Sequence, residues 1–142
     1  MNSWQMLHAT CVIWMTGIIW VVQLLVYPSF LTIIREKSKT HHLAHTNRIT
    51  YLVAPPMLIQ LVSSGLLVFH EPQNIVFDFY LASALLLFSS TALIFVPLHA
   101  KLEHSWDEKV ISDLVRKNWI RTILWSSECA VVFYTLFFGS MK

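Results

Sequence analysis

The sequence predicts an all-α fold: an antiparallel four-helix transmembrane bundle, with residues 1–142 forming one integral-membrane domain. Three observations predict it. The chain is 56% hydrophobic and only 13% charged, against about 25% charge in a soluble domain. Its charges fall in blocks. None precedes Arg35, none lies between Arg48 and Glu71 or between Asp78 and Lys101, and after Arg121 only Glu128 precedes Lys142. Each charge-poor window supplies the roughly 20 apolar residues that span a bilayer, and in lipid a lone apolar segment satisfies its own backbone only as a helix.

The four spans are expected at about 6–28, 49–69, 77–98 and 119–139. The first is read as a membrane span rather than a cleavable signal. It has no basic n-region, its apolar stretch is too long, and no small-residue cleavage site follows it. The second carries Pro55–Pro56 and the third carries Pro97, both predicted to interrupt backbone hydrogen bonds locally. Loop two, "HEPQNIVFD", is short, so spans two and three should form a tight antiparallel hairpin. In loop three, Ser105 stands three residues before Glu108, the spacing of a capping box. Trp106, Val110, Ile111 and Leu114 follow at helical spacing. A short amphipathic interfacial helix is expected there, between spans three and four and running into the latter. Cys11 and Cys129 lie inside spans one and four, form no CxxC, and read as small buried apolar residues.

Basic residues set the orientation. Loops one and three share a face, and together they hold Arg35, Lys37, Lys39, Arg48, Lys101, Lys109, Arg116, Lys117 and Arg121, nine of the ten Lys and Arg residues. The positive-inside rule puts that face in the cytoplasm and both termini outside, consistent with a multi-pass protein of a bacterial cytoplasmic (inner) membrane. The net charge of +2 thus reports topology and gives no reason to expect nucleic-acid binding.

Polar residues inside spans are costly and face a bundle interior or cavity. Asn118, Arg121, Trp125 and Glu128 follow spacings of three and four along span four. Thr16, Trp20, Gln23 and Tyr27 do so along span one, and His45, Arg48, Leu52, Pro56 and Gln60 follow roughly one stripe of span two. His99 closes the apolar run of span three in "FVPLHAKLE". Tyr27, His45, Arg48, His99, Asn118 and Arg121 lie near the cytoplasmic helix ends. Gln23 lies about 9 Å deeper, and Gln60 and Glu128 roughly 14–16 Å deep at 1.5 Å per residue. The expected site is therefore a polar pocket in the cytoplasmic half. Each member also has a plainer reading, as an interface aromatic, a snorkelling charge or interhelical hydrogen-bond glue. Glu128 resists it, since a lone midplane carboxylate is either protonated or paired.

The histidines suggest metal chemistry. His42 and His45 are three apart, and His99 approaches from span three; three imidazoles hold a transition metal and two opposed ones hold a haem iron. The alternative for His42, in a polar loop, is a solvated side chain. No GxSxG, HExxH or glycine-rich phosphate loop occurs, and the chain has only three glycines.

At "LHATCVIWMTGIIWVVQLLVYPSF", "HTNRITYLVAPPM", "VPLHAKLE" and "LVRKNWIRTILWS" the chain resembles a family of small, functionally uncharacterised bacterial four-helix membrane proteins. More distantly it resembles the haem-binding protoporphyrinogen oxidase type, through Leu7-His8, Arg48, Tyr51, Pro55 and His99. That resemblance implies haem b and redox chemistry on a porphyrin. The chain departs from the family in lacking a lysine early in span three, where it reads "FDFYLASAL".

Three functions follow as expectations. The first is a haem- or metal-dependent membrane oxidoreductase. His45 and His99, with His42, would be its ligands, and Arg48, Arg121, Asn118, Gln23 and Gln60 would line the cofactor pocket. Glu128 and Tyr27 would be its catalytic residues. The second is a metal-free binding or carrier protein for a porphyrin, quinone or other amphipathic anion. The third is an accessory subunit, packed in a homo-oligomer or against another membrane protein.

Overall fold

The computed structural model describes residues 2–138. It consists of four helices long and apolar enough to cross a membrane: α1 (Ser3–Thr32), α2 (Arg35–His70), α3 (Ile75–His104) and α4 (Glu108–Phe138). The chain therefore has the build of a multi-pass membrane protein. Three short links make the helices run up, down, up and down. Each helix packs on its sequence neighbours, and α4 closes the ring against α1. We call the end holding the links 33–34 and 105–107 the basic end, and the other the terminal end.

Every helix outruns its apolar core. The residues expected as loop one, 35–48, are the first turns of α2, because nothing in that segment breaks a helix and its inner face has something to pack on. Pro55 and Pro56 sit inside α2 without ending it. The amphipathic segment of loop three does run into span four, and no break separates the two. Its apolar face, Ile111 and Leu114, is fully buried in the bundle, where tertiary packing replaces contact with a lipid surface. The cap of α4 is Asp107, whose Oδ1 accepts from Lys109 N at 2.8 Å, not the predicted Ser105 box. Residue 139, the expected end of span four, lies outside the described residues.

Two helices carry a π-turn, Val22–Val26 in α1 and Thr91–Phe95 in α3. In both, one residue separates the turn from a proline, Pro28 or Pro97. A proline removes one donor and crowds the carbonyl four residues back, and a widened turn accommodates both effects. Tyr27 follows the first π-turn directly and His99 stands one turn beyond the second. Both prolines thus influence how the candidate site is aimed.

The bundle is inverted relative to a soluble one. Leu25, Leu93 and Ile123 are 65, 76 and 59% exposed, while His8, Gln23, His42, Gln60, Asn118 and Glu128 are buried. Two apolar clusters fill the interior. One, in the basic half, includes Met15, Phe30, Phe95, Leu114 and Trp125; the other, in the terminal half, includes Val12, Leu67, Phe77 and Val132. A polar layer of Gln60, Ser63, Ser83 and Glu128 falls between them along the helices.

Candidate functional site

Near the basic end, a hydrogen-bonded chain crosses from α2 to α1. His42 Nε2 lies 2.9 Å from His99 Nδ1, and His99 Nε2 lies 3.1 Å from the Tyr27 hydroxyl. Arg121 Nη2 donates to that same hydroxyl at 3.0 Å. Arg121 Nε donates to Asn118 Oδ1 at 2.9 Å, and Nη2 also bonds that oxygen. Asn118 Nδ2 in turn donates to Gln23 Oε1 at 2.9 Å, and Gln23 Nε2 donates to the Val115 carbonyl at 3.2 Å.

Arginine is an obligate donor, so the Tyr27 oxygen accepts from it. The Tyr27–His99 and His42–His99 bonds take their direction from the histidine tautomers. His42 Nδ1, at the end of the chain, is buried and has no partner.

Arg121 is only 8% exposed, and its contacts are neutral: Asn118, Tyr27 and the Phe95 ring, whose centroid lies 3.6 Å from Cζ. No carboxylate among the described residues stands within ion-pair distance of it. A buried, uncompensated guanidinium is costly unless something anionic joins it.

A cleft of about 350 Å³ provides the place. Arg121, His99 and Tyr27 form its polar end; Met15, Met57 and Phe95 line its apolar depth. Its lining includes the exposed Thr50 of α2 and Val96 and Ala100 of α3, so it opens between those two helices. From Thr46 to Met57 it extends about 16 Å along α2 at 1.5 Å per residue. Glu103 also lines it, at the basic-end rim by its position on α3.

The expected ligand pair His45 and His99 does meet, with ring centroids 6.2 Å apart. The donor set nevertheless does not fit an iron held between them. Both nitrogens of His99 are engaged, by His42 and by Tyr27. His45 Nε2 is buried without a partner, but its ring packs edge-on against Phe30 and Tyr27, and His45 does not line the cleft. Among the described residues no group of three His, Cys, Asp or Glu side chains is placed to hold a metal. His42, with a solvated alternative in the sequence, is fully buried because the helix through 35–48 turns it inward.

Arg48 does not border the cleft. It is exposed and lines an outward groove with His41, His45 and Leu52. At 100° per residue it sits about a third of a turn from His42, so a stripe centred on His45 includes it while the inner face does not.

Gln60 and Glu128 belong to a separate site, the midplane polar layer. Glu128 Oε2 accepts from Ser83 Oγ at 2.7 Å and from Gln60 Nε2 at 2.9 Å. Trp125 Nε1 donates to Gln60 Oε1 at 3.0 Å. Glu128 Oε1 faces His8 Nε2 at 3.1 Å, an ion-pair distance out of line for a hydrogen bond, and neither atom has another partner. His8 Nδ1 lies 3.2 Å from Ser63 Oγ. All four helices thus enclose one wholly buried carboxylate. Sequence reasoning missed His8, Ser63 and Ser83 as its partners. Ser63 stands three residues from Gln60 on the same helix face, and that spacing was available as a signal. Set against family models, curated proteins and solved structures, the chain matches none.

Proposed function

We propose that the protein binds an amphipathic acid, with its anionic head at Arg121 and its apolar body along Met15, Met57 and Phe95. The buried guanidinium, with no carboxylate at ion-pair distance among the described residues, at one end of a largely apolar cleft carries this reading. Tyr27 and Asn118 hold the guanidinium in place from one side, and Phe95 covers one face. Nη1 has no hydrogen-bond partner among the described residues and remains for the ligand. The lateral opening between α2 and α3 suits a molecule that partitions into the bilayer first. The basic residues support a cytoplasmic location for the cleft end of the bundle, by the positive-inside rule.

The head-group contact is a charge-assisted hydrogen bond, worth about 1.5–3 kcal/mol, or roughly tenfold to a hundredfold in affinity. With the full chain in lipid nanodiscs and an alkylsulfonate as probe, Arg121→Gln should weaken binding by that factor, and Arg121→Lys should restore part of it. Equal binding by parent and Arg121→Gln would sink the reading. A visible spectrum separates it from haem chemistry: a Soret band that disappears in His99→Ala would replace it with the redox alternative.

A further inference from the structure

The Glu128 layer lies between two cavities toward opposite ends of the bundle. At the terminal end, a cavity of about 360 Å³ is lined by Gln5, His8, Asn74, Tyr80 and Thr135 among others. At the other end is the acid-binding cleft, one of whose walls is Trp125. Between them runs a line of polar contacts. Trp125 donates to Gln60 at 3.0 Å, Gln60 donates to Glu128 at 2.9 Å, and Glu128 faces His8 at 3.1 Å. Each cavity wall therefore touches the same buried carboxylate through side chains that are all nearly inaccessible.

The chemistry of this line is unequal along its length. An imidazole and a carboxyl group can each take up and give back a proton; an indole N–H and a primary amide do not. A proton entering by His8 stops at Glu128 and cannot leak into the cleft along the hydrogen bonds. The other titratable groups near the pair are Tyr80, whose ring centroid is 4.4 Å from that of His8, and Cys129, which follows Glu128 in sequence. From α2 and α3 the pair meets, among the described residues, Gln60, Ser63, Ser83 and the Tyr80 ring. No Lys or Arg among the described residues lines the terminal-end cavity.

Charge balance then links the two sites. With Glu128 ionised and His8 neutral, the interior holds one negative charge there and one positive charge at Arg121. An acid anion in the cleft adds a negative charge, and one proton on the His8–Glu128 pair cancels it. Burying the uncancelled charge is the more costly state.

We propose that the His8–Glu128 pair takes up one proton from the terminal-end cavity when an acid anion is held at Arg121, so that acid binding and proton uptake are coupled. The proton leaves a water in the cavity, resides on the imidazole or the carboxylate, and returns to water of the same cavity when the acid leaves; no covalent bond changes beyond that transfer. The coupling rests on the acid-binding reading of the cleft, whereas the proton site does not.

The full chain in lipid nanodiscs, in weakly buffered solution with a pH-sensitive dye, tests the coupling. Adding an alkylsulfonate salt, which carries no proton of its own at neutral pH, should make the solution more alkaline as the pair takes up a proton. Glu128→Gln should abolish that uptake and keep Arg121-dependent binding of the sulfonate. Unchanged uptake in Glu128→Gln overturns the proposal, as does binding without proton uptake in the parent. Infrared difference spectra between acidic and neutral pH test the proton site alone. The parent should show a protonated-carboxyl band that is absent from Glu128→Gln and displaced in His8→Gln. Absence of the band in the parent overturns the proton site whatever the cleft binds. A band without any sulfonate binding overturns the cleft reading and the coupling and leaves the proton site standing. Should Glu128→Gln fail to fold, the displacement in His8→Gln decides the assignment, and a band unmoved by that variant overturns it.

Discussion

Arg121 Nη2 donates to the Tyr27 hydroxyl at 3.0 Å, and that bond joins the guanidinium to the chain that runs through His99 to His42. It also ties α4 to α1 beside the cleft that both residues line.

Tyr27→Phe removes this bond and the one to His99 without changing the shape of the site. The buried Arg121 and the half-buried His99 each lose a partner, at a cost of about 1–3 kcal/mol for an unsatisfied buried group. The variant should insert and fold, with its unfolding in a denaturing-detergent titration shifted by that amount. Alkylsulfonate binding should weaken as well, because the guanidinium is no longer held from the Tyr27 side. Parental stability in Tyr27→Phe would mean that the hydroxyl is solvated rather than shared.

Arg48→Ala provides the contrast. Arg48 is exposed on an outward groove, so the change should leave alkylsulfonate affinity within about twofold and stability within about 0.5 kcal/mol, as for surface substitutions generally. A loss matching that of Arg121→Gln would place both guanidiniums on one ligand and contradict the cleft drawn here.

Glu128 is enclosed by four helices, and substitution there should discriminate by charge and shape. Glu128→Gln keeps an oxygen for Ser83 and Gln60 and should express and purify as the parent does. Glu128→Lys places three donors where Ser83 and Gln60 already donate, near the midplane, where a cation costs about 3 kcal/mol or more. It should fail to accumulate in membranes, as measured by quantitative immunoblot against the parent. Comparable amounts of both variants would put the residue in contact with water or headgroups.

The helices were legible because charge-free windows of adequate length admit one solution in lipid. Their ends were not. Residues 35–48 are polar enough to read as a loop, and only the burial of Ser38 and His42 against the neighbouring helices makes them helical. The cleft residues Tyr27, His99 and Arg121 were legible from depth and spacing. Arg48 was misplaced because a helical stripe tolerates about a third of a turn while a cavity wall does not. His8 was the main omission. It lies near the terminal end of α1, but an imidazole reaches several ångströms along the bundle, and Glu128 reaches to meet it. The π-turns before Pro28 and Pro97 shift the angular phase of all that follows, and periodicity at a fixed 100° cannot anticipate that shift.

The last prediction concerns orientation, on which the direction of any coupling depends. Nine of the ten basic residues lie toward one end of the bundle, and the positive-inside rule puts that end in the cytoplasm. Lys39, Lys109 and Gln73 are all exposed, so cysteines there are equally open to a reagent on their own side. In a chain whose Cys11 and Cys129 are replaced by alanine, Lys39→Cys and Lys109→Cys should resist an impermeant thiol reagent in intact cells and react after lysis. Gln73→Cys, between α2 and α3, should react in both conditions. Labelling of Lys39→Cys but not Gln73→Cys in intact cells would invert the bundle. The cleft would then open toward the outer face, and the terminal-end cavity would draw its proton from the cytoplasm.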